Sequence, residues 1–329
     1  MDGRIRIGVS GWRYAGWRGV FYPDGLAQRR ELEFASRALP VLEINGTFYS
    51  LQRPAHFDQW RDETPDDFVF TVKGGRYVTH VRRLRDVSTA LANFFASGVL
   101  RLGDKLGPFL WQLPPNFRFD AERLDAFLAQ LPRDVAAARA LARHRQGWMH
   151  GRTAFGGAGD RPLRHALEVR HESFDDPAFA AILRRHGVAL VVSDGAGSWP
   201  TFEEVTADFV YLRLHGVGEP YSGRYADDAL DRWARRITAW SVGGEPADAK
   251  RISGTRAAKR KARDVYCFFD NDTKAAAPGD ARRLLARLGL ETPAVVLDQS
   301  PNPSRDQSPR ASSTRAKKAA LSKRSRPTS

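Results

Sequence analysis

Short apolar runs recur along the chain, and most are followed by segments whose apolar positions repeat every three or four residues. IRIGVSGW (5–12), VLEINGTFY (41–49), DFVFTVKGG (67–75), GPFLWQLPP (107–115), HALEVRHESF (165–174), VALVVSDGAG (188–197), FVYLRLHGV (209–217) and DVYCFFDND (264–272) read as strands. Between them the period lengthens to that of a helix. One helix is expected over 26–39, with Leu32, Ala35 and Leu39 on one side; one opens at Pro54, and one covers 88–101. Asp120 caps another, which carries Leu124, Phe127, Leu128 and Leu131 at i, i+3, i+4 and i+7. Asp176-Pro177 starts the next. Two more carry Leu230, Trp233, Ile237 and Trp240, and Leu284, Leu285 and Leu288. Residues 133–164 read as an extended surface connection, and SWPTFEEVTA (198–207) is too short for a regular helix.

Strands alternating with helices imply a parallel sheet, and eight of them favour closure into a TIM-type (β/α)8 barrel with irregular connections. A doubly wound open sheet is the alternative, but no strand is followed by the glycine-rich phosphate fingerprint such folds use. The expected organisation is one barrel domain over 1–299 and a disordered basic tail over 300–329.

Alternate side chains of a strand point to opposite faces. In HALEVRHESF, Leu167 and Val169 share one parity, while Glu168, Arg170 and Glu172 share the other. Alone, this describes an edge strand with a solvated charged face. The other strands change that reading. If Leu42 and Ile44 face the helices, Glu43, Asn45 and Thr47 face inward. The same rule turns Lys73 inward against Phe70 and Val72, Gln112 against Trp111 and Leu113, and Arg213 and His215 against Leu212 and Leu214. Strand six ends in Asp194, and strand eight in Asp270-Asn271-Asp272. Polar residues thus collect at the C-terminal ends of the strands, where barrel enzymes build their sites.

Charge modifies this picture less than its size suggests. The formal net charge is +14, but residues 250–263 and 300–329 account for all of it, leaving the rest of the chain neutral. The tail is rich in Ser, Pro, Lys, Arg and Ala and cannot bury a core, though it can bind polyanions through counterion release. The segment 250–263 lies between helix and strand and belongs on the N-terminal side of a barrel, opposite the expected site. The single cysteine, Cys267, sits among aromatic residues and reads as a buried structural thiol. Residues 1–12 lack the apolar stretch of a signal peptide, and no run is long enough to span a membrane, so a cytoplasmic protein is expected. The tryptophans of GWRYAGW read as packing beneath the first loop rather than as a stacking surface for a ligand.

Several ordered motifs carry a resemblance. IGVSGWRYAGWRGVFYP, LEINGTFYSLQRP, FVFTVKGGRYVTH, WQLPPNF, LEVRHESF, YLRLHG and YCFFDND follow, in order, those of the DUF72 (YecE-like) family. The resemblance spans residues 5 to about 290 and implies a TIM barrel, but no reaction, since the family's activity is not established. Two departures stand out. Many relatives have F-N-N where this chain has Phe269, Asp270, Asn271, which adds a carboxylate and leaves Asn271 as the matching position. Relatives often have a proline in the segment that here reads Gly74-Gly75-Arg76-Tyr77, which bears on the role of His80.

The inward set suggests chemistry on an anion. Arg170, Arg213 and Lys73 supply positive charge suited to a phosphate or carboxylate. Glu43, Lys73, Glu168, Asp194 and His215 are the candidate acid–base residues, and Asn45, Thr47, Gln112, Arg170, Arg213 and Asn271 the candidate substrate contacts. No cofactor is required by the pattern. A single magnesium or manganese held by Glu43, Glu168 and Asp194 fits carboxylate chemistry, whereas a multi-zinc centre lacks histidines. A glycosidase could use Glu43 and Glu168 as its carboxylate pair, but would leave the arginines without a partner. The expected function is an enzyme, such as a phosphoesterase, acting on an anionic substrate at the barrel mouth. The alternative is a nucleic-acid-binding protein that uses segments 250–263 and 300–329 without catalysis.

Overall fold

A parallel strand covered on both faces must be apolar on both, so the Val-, Ile- and Phe-rich runs suit a barrel wall. The computed structural model describes residues 3–156 and 159–290, together with 295 and 297. Its strands are β1 (Ile5–Ser10), β2 (Val41–Ile44), β3 (Val69–Lys73), β4 (Leu106–Gln112), β5 (His165–Glu168), β6 (Ala189–Asp194), β7 (Phe209–Leu214) and β8 (Asp264–Phe269). Every pairing is parallel, and β1 pairs with both β2 and β8, so the sheet closes in sequence order. The TIM-type barrel is therefore present, within a compact unit of Met1–Val295. The tail expected over 300–329 lies outside the described residues.

Helices α1 (Glu31–Ala38), α2 (Gly46–Tyr49), α3 (Pro54–Asp62), α4 (Ser88–Ala96), α5 (Ala121–Ala129), α6 (Val135–Ala142), α7 (Pro177–His186), α8 (Asp227–Ser241) and α9 (Ala276–Arg287) complete the described regular structure apart from short turns. Local chemistry sets their ends. The side chains of Asp120 and Asp176 accept from the Arg123 and Ala178 amides, and Pro177 occupies the first turn of α7. Gly187 closes α7 in the left-handed region at φ 60°. No described helix is long and apolar enough to cross a membrane.

Three expectations about elements need correction. The second strand stops at Ile44, because the chain turns at Asn45 into the four-residue helix α2. The connection 133–164 contains α6, capped by Asp134, whose Val135, Ala138 and Ala142 are buried. The first helix begins at Glu31 and not at 26. Between β6 and β7 no regular helix forms, as its length suggested. Instead, buried Glu203 and Glu204 accept from the amides of Lys250, Ile252 and Ser253, fastening the basic segment to that loop.

Inside the barrel the inward residues form two layers. The lower is apolar and aromatic, built by Val41, Val69, Leu110, Ala166, Val191, Phe209, Tyr211 and Phe268 among others. Above it, toward the C-terminal ends of the strands, the inward positions turn polar. The tryptophans of the first loop pack as expected: Trp17 is fully buried among Tyr14, Phe21 and Tyr22, and Trp12 meets Trp60 edge-on. Cys267 is buried.

Candidate functional site

Arg213 is the hub of the upper layer. β7 carries it two residues above Tyr211, and it is fully buried. Its Nη1 donates to Glu168 Oε2 at 2.8 Å; its Nη2 donates to Glu43 Oε1 at 3.0 Å, Asp270 Oδ2 at 2.7 Å and Ser10 Oγ at 3.1 Å. Glu43 also accepts from the Tyr211 hydroxyl at 2.6 Å and from Ser10 Oγ at 3.1 Å. Glu168 accepts from Arg170 Nε at 2.8 Å and from Ser193 Oγ at 3.2 Å. Five strands and the end of β8 thus contribute to one buried network. Burial would raise the Glu168 pKa, but Arg170 and Arg213 outweigh it and hold the carboxylate well below its usual range. Conversely, Glu43, Asp270 and Glu168 overcome burial and drive Arg213 well above its ordinary value.

Arg170 forms the lid of this network. Its Nη1 donates to the Tyr221 hydroxyl at 2.8 Å, and its guanidinium lies 4.0 Å from the centroid of the Trp199 ring. Trp199 in turn donates to Ser193 Oγ at 2.9 Å. A cavity of about 420 Å³ opens beside Arg170 and Trp199, bounded by Glu172, Ser198 and Pro200. His215 Nε2 lies 3.1 Å from Arg213 Nη1 and 3.3 Å from Arg170 Nη2, while its Nδ1 lies 3.3 Å from the Asp194 carbonyl. Two guanidinium donors on Nε2 and a carbonyl at Nδ1 assign the neutral Nδ1–H tautomer. Burial first, then Arg213, pushes its pKa down to about 3. His215 is placed as an acceptor for two arginines, an environment that opposes its protonation and does not favour the expected proton shuttle near neutral pH.

Lys73 behaves differently. It is buried at the mouth, yet its ammonium makes no hydrogen bond or ion pair among the described residues and faces the Phe48 ring with Nζ 4.5 Å from the centroid. Burial, then Arg213, lowers its pKa to about 8. Close by, His80 is pushed down to about 4 by burial and then by Lys73, Arg76, Arg170 and Arg83, so cations converge on this side of the mouth. Asp272 is raised to about 7 by burial and by Asp270; its Oδ1 is buried without a partner, the Tyr14 hydroxyl donating instead to the Ser10 carbonyl at 2.6 Å.

Other expected site residues are employed elsewhere. Asp194 accepts from the Tyr225 hydroxyl at 3.1 Å, because Ser193, in step with Val191, takes the inward position. Thr47, on α2 rather than a strand, donates to the Lys73 carbonyl at 2.7 Å and ties the β2 loop to β3. Asn271 donates to Gly223 O at 2.7 Å and Asp280 Oδ2 at 2.9 Å, bracing loops behind the site. Gln112 is buried beside Glu168 on the next strand and donates to Leu113 O at 3.3 Å. Asn45 is half-buried with Oδ1 unpaired. The metal set does not converge: Arg213 fills the space between Glu43 and Glu168, Asp194 belongs to another pair, and no three His, Cys, Asp or Glu among the described residues form a metal cluster.

Ser10, Tyr211 and Ser193 join the network without having been singled out, and Asp270, noted as an added carboxylate, joins it in place of Asn271. Strict alternation would have found them, since each lies two residues from an inward neighbour. Trp199, Tyr221 and Tyr14 come from loops, where no period points inward.

Known proteins resemble this chain in sequence and in fold. The family model described as "Protein of unknown function DUF72" matches residues 6–307. The chain belongs to the DUF72 family. UPF0759 protein YunF of Bacillus subtilis is 24% identical over 316 residues, covering 87% of this chain and 95% of that protein. UPF0759 protein YecE of Escherichia coli is 29% identical over 113 residues, covering 34% of this chain and 39% of that protein. Among solved structures, the DUF72 family protein TM1631 from Thermotoga maritima is 25% identical with a TM-score of 0.66, over 87% of this chain and 99% of that one. The family match covers the barrel and its mouth and brings no established activity.

Proposed function

We propose that the mouth binds and transforms a phosphate- or carboxylate-bearing substrate, with Lys73 as its charge partner. The observation that carries this reading is the unpaired Lys73 ammonium. Arg213 and Arg170 have carboxylates within ion-pair distance, whereas Lys73 feels Glu43, Asp270 and Glu168 only from beyond it, and burial still penalises its charge. An oxyanion beside it would remove that penalty, and Arg76, Arg83 and Arg170 favour the same sign of ligand. Within this reading Asp272, titrating near pH 7, donates a proton to the leaving oxygen, and the Arg213 network holds the mouth rigid. Phosphoester hydrolysis is the reaction we place first.

The test is turnover of a panel of phosphomonoesters, phosphodiesters and carboxylic esters by the wild type and by Lys73→Met. A hit among the anionic compounds that falls at least tenfold in kcat/KM with Lys73→Met, and that declines as pH rises through 7 and 8, where Asp272 and then Lys73 lose their protons, supports the reading. Turnover of neutral sugars, indifferent to Lys73→Met, would sink it.

A further inference from the structure

The opposite end of the barrel holds a second place where positive charge lacks a partner. A cavity of about 470 Å³ opens where the end of α7, the loop entering β7 and the segment before β8 meet. Arg184, Arg260 and Arg263 line it, with Asp208 as the carboxylate in its wall. Both Arg184 and Asp208 are already satisfied, by Glu204 and by Arg164 respectively.

Arg263 is not. It is 2% exposed, its Nη1 and Nη2 donate to the carbonyls of Gly244 at 2.9 Å and Ala258 at 2.6 Å, and its Nε is buried with no partner. Carbonyl dipoles fix the guanidinium, and no carboxylate among the described residues forms an ion pair with it; Glu245, already paired with Arg251, offsets its charge only from beyond ion-pair distance. Arg260, at the exposed side of the same cavity, makes no described side-chain bond. The flanking Arg256, Lys259 and Lys261 are exposed and raise the local positive potential. The remaining wall is small and apolar, supplied by Val205, Ala207, Ala257 and Ala258. Thr206 has no hydroxyl to offer, since it donates to Val188 O at 2.6 Å and accepts from the Leu190 amide at 2.8 Å.

We infer that this N-terminal cavity is an anion site that takes a small phosphate-bearing molecule, with Arg263 as its buried anchor and Arg260 as its outer clamp. Two guanidinium groups match a phosphate's several acceptors, and the cavity volume admits a phosphate with a small body rather than a polymer. The site is independent of the mouth and of the reaction proposed there.

Calorimetric titration with inorganic pyrophosphate at constant ionic strength tests it. The experiment uses the full-length Lys73→Met chain, so that the mouth lacks its proposed charge partner, and binding is assigned by its response to Arg260 and Arg263. Saturable binding with one equivalent is expected, weakened at least tenfold by adding Arg260→Ala, an exposed substitution that leaves the fold intact. Arg263→Lys should weaken it further, and circular dichroism confirms that this variant folds. Binding that is unchanged by Arg260→Ala overturns the proposal. So does tight binding of a single-stranded oligonucleotide with no response to pyrophosphate, which would assign the basic segment to a polymer at the surface.

Discussion

Two layers of the same barrel are separated by two residues along each strand, yet they are held by opposite physics. In the lower layer Val41, Leu110, Val191 and Phe268 fill the interior by shape, so each loss is local. One step higher, Glu43, Glu168 and Asp270 replace them around Arg213, and each member's stability depends on the others. Charge in a barrel interior is tolerable when it balances. Lys73 differs from Arg213 in making no direct ion pair among the described residues, and in the reading proposed above that difference separates scaffold from site.

The largest effect should come from removing the hub. Arg213→Met leaves Glu43, Glu168 and Asp270 buried without their common cation, a loss of at least about 5 kcal/mol, at the upper end for a broken buried pair. That is the whole stability of many domains, so insoluble or unfolded protein is expected by circular dichroism. Val191→Ala in the lower layer serves as control and should cost roughly 2 kcal/mol in urea melts. A soluble, folded Arg213→Met with ordinary stability would mean that the network is dispensable and that the two layers do not differ in kind.

Much of this was legible from alternation. The barrel, its closure and the polar strand ends follow from period-two runs separated by helices, and the shared inward face of Glu168, Arg170 and Arg213 follows from parity. What parity could not convey was how charges divide among themselves. Arg213 resembles a substrate clamp until three carboxylates are seen to occupy it, and His215 resembles a shuttle until two guanidinium groups face its Nε2. Strand ends were the other weak place. At Asn45 the chain leaves the strand, and at the end of β6 alternation itself turns Ser193 inward and Asp194 outward, so a shift of one position decides which of the two reaches the site. Asp270 was visible only as a departure from the family pattern, yet it is the residue that touches Arg213, while Asn271 braces the loop.

His215 sharpens the comparison through pH. Its pKa is about 3 in the folded chain against 6.5 when free, so the folded state disfavours its protonation. That contribution is fully present above about pH 6.5 and is lost as pH falls from there toward 3, reaching roughly 4 to 5 kcal/mol. Urea melts between pH 7 and 4 should show stability declining steeply over this window. His215→Asn, which keeps a donor for the Asp194 carbonyl, should flatten the upper part of the decline, while Glu168 still acts below its own free value near 4.5. Parallel curves for the two proteins would show that the histidine is not held neutral by its arginines.

The smallest effect on stability, and the most telling in sign, belongs to Lys73. An ammonium whose pKa falls from 10.5 to about 8 destabilises the folded chain below pH 8, and the penalty disappears as pH rises from about 8 to 10.5. Lys73→Met keeps the stem against Phe48 and removes the charge, so at pH 7 the variant should be more stable, by about 1 to 3 kcal/mol. By pH 10.5 the two proteins should melt together. A gain in stability joined to a loss of turnover is the signature of a residue retained for a ligand. Substituting a scaffold ion such as Arg213 cannot produce it, because there the missing charge exposes its partners. If Lys73→Met instead lowers stability at pH 7, Lys73 has a counter-charge in the folded protein, and the distinction between the hub and the free cation fails.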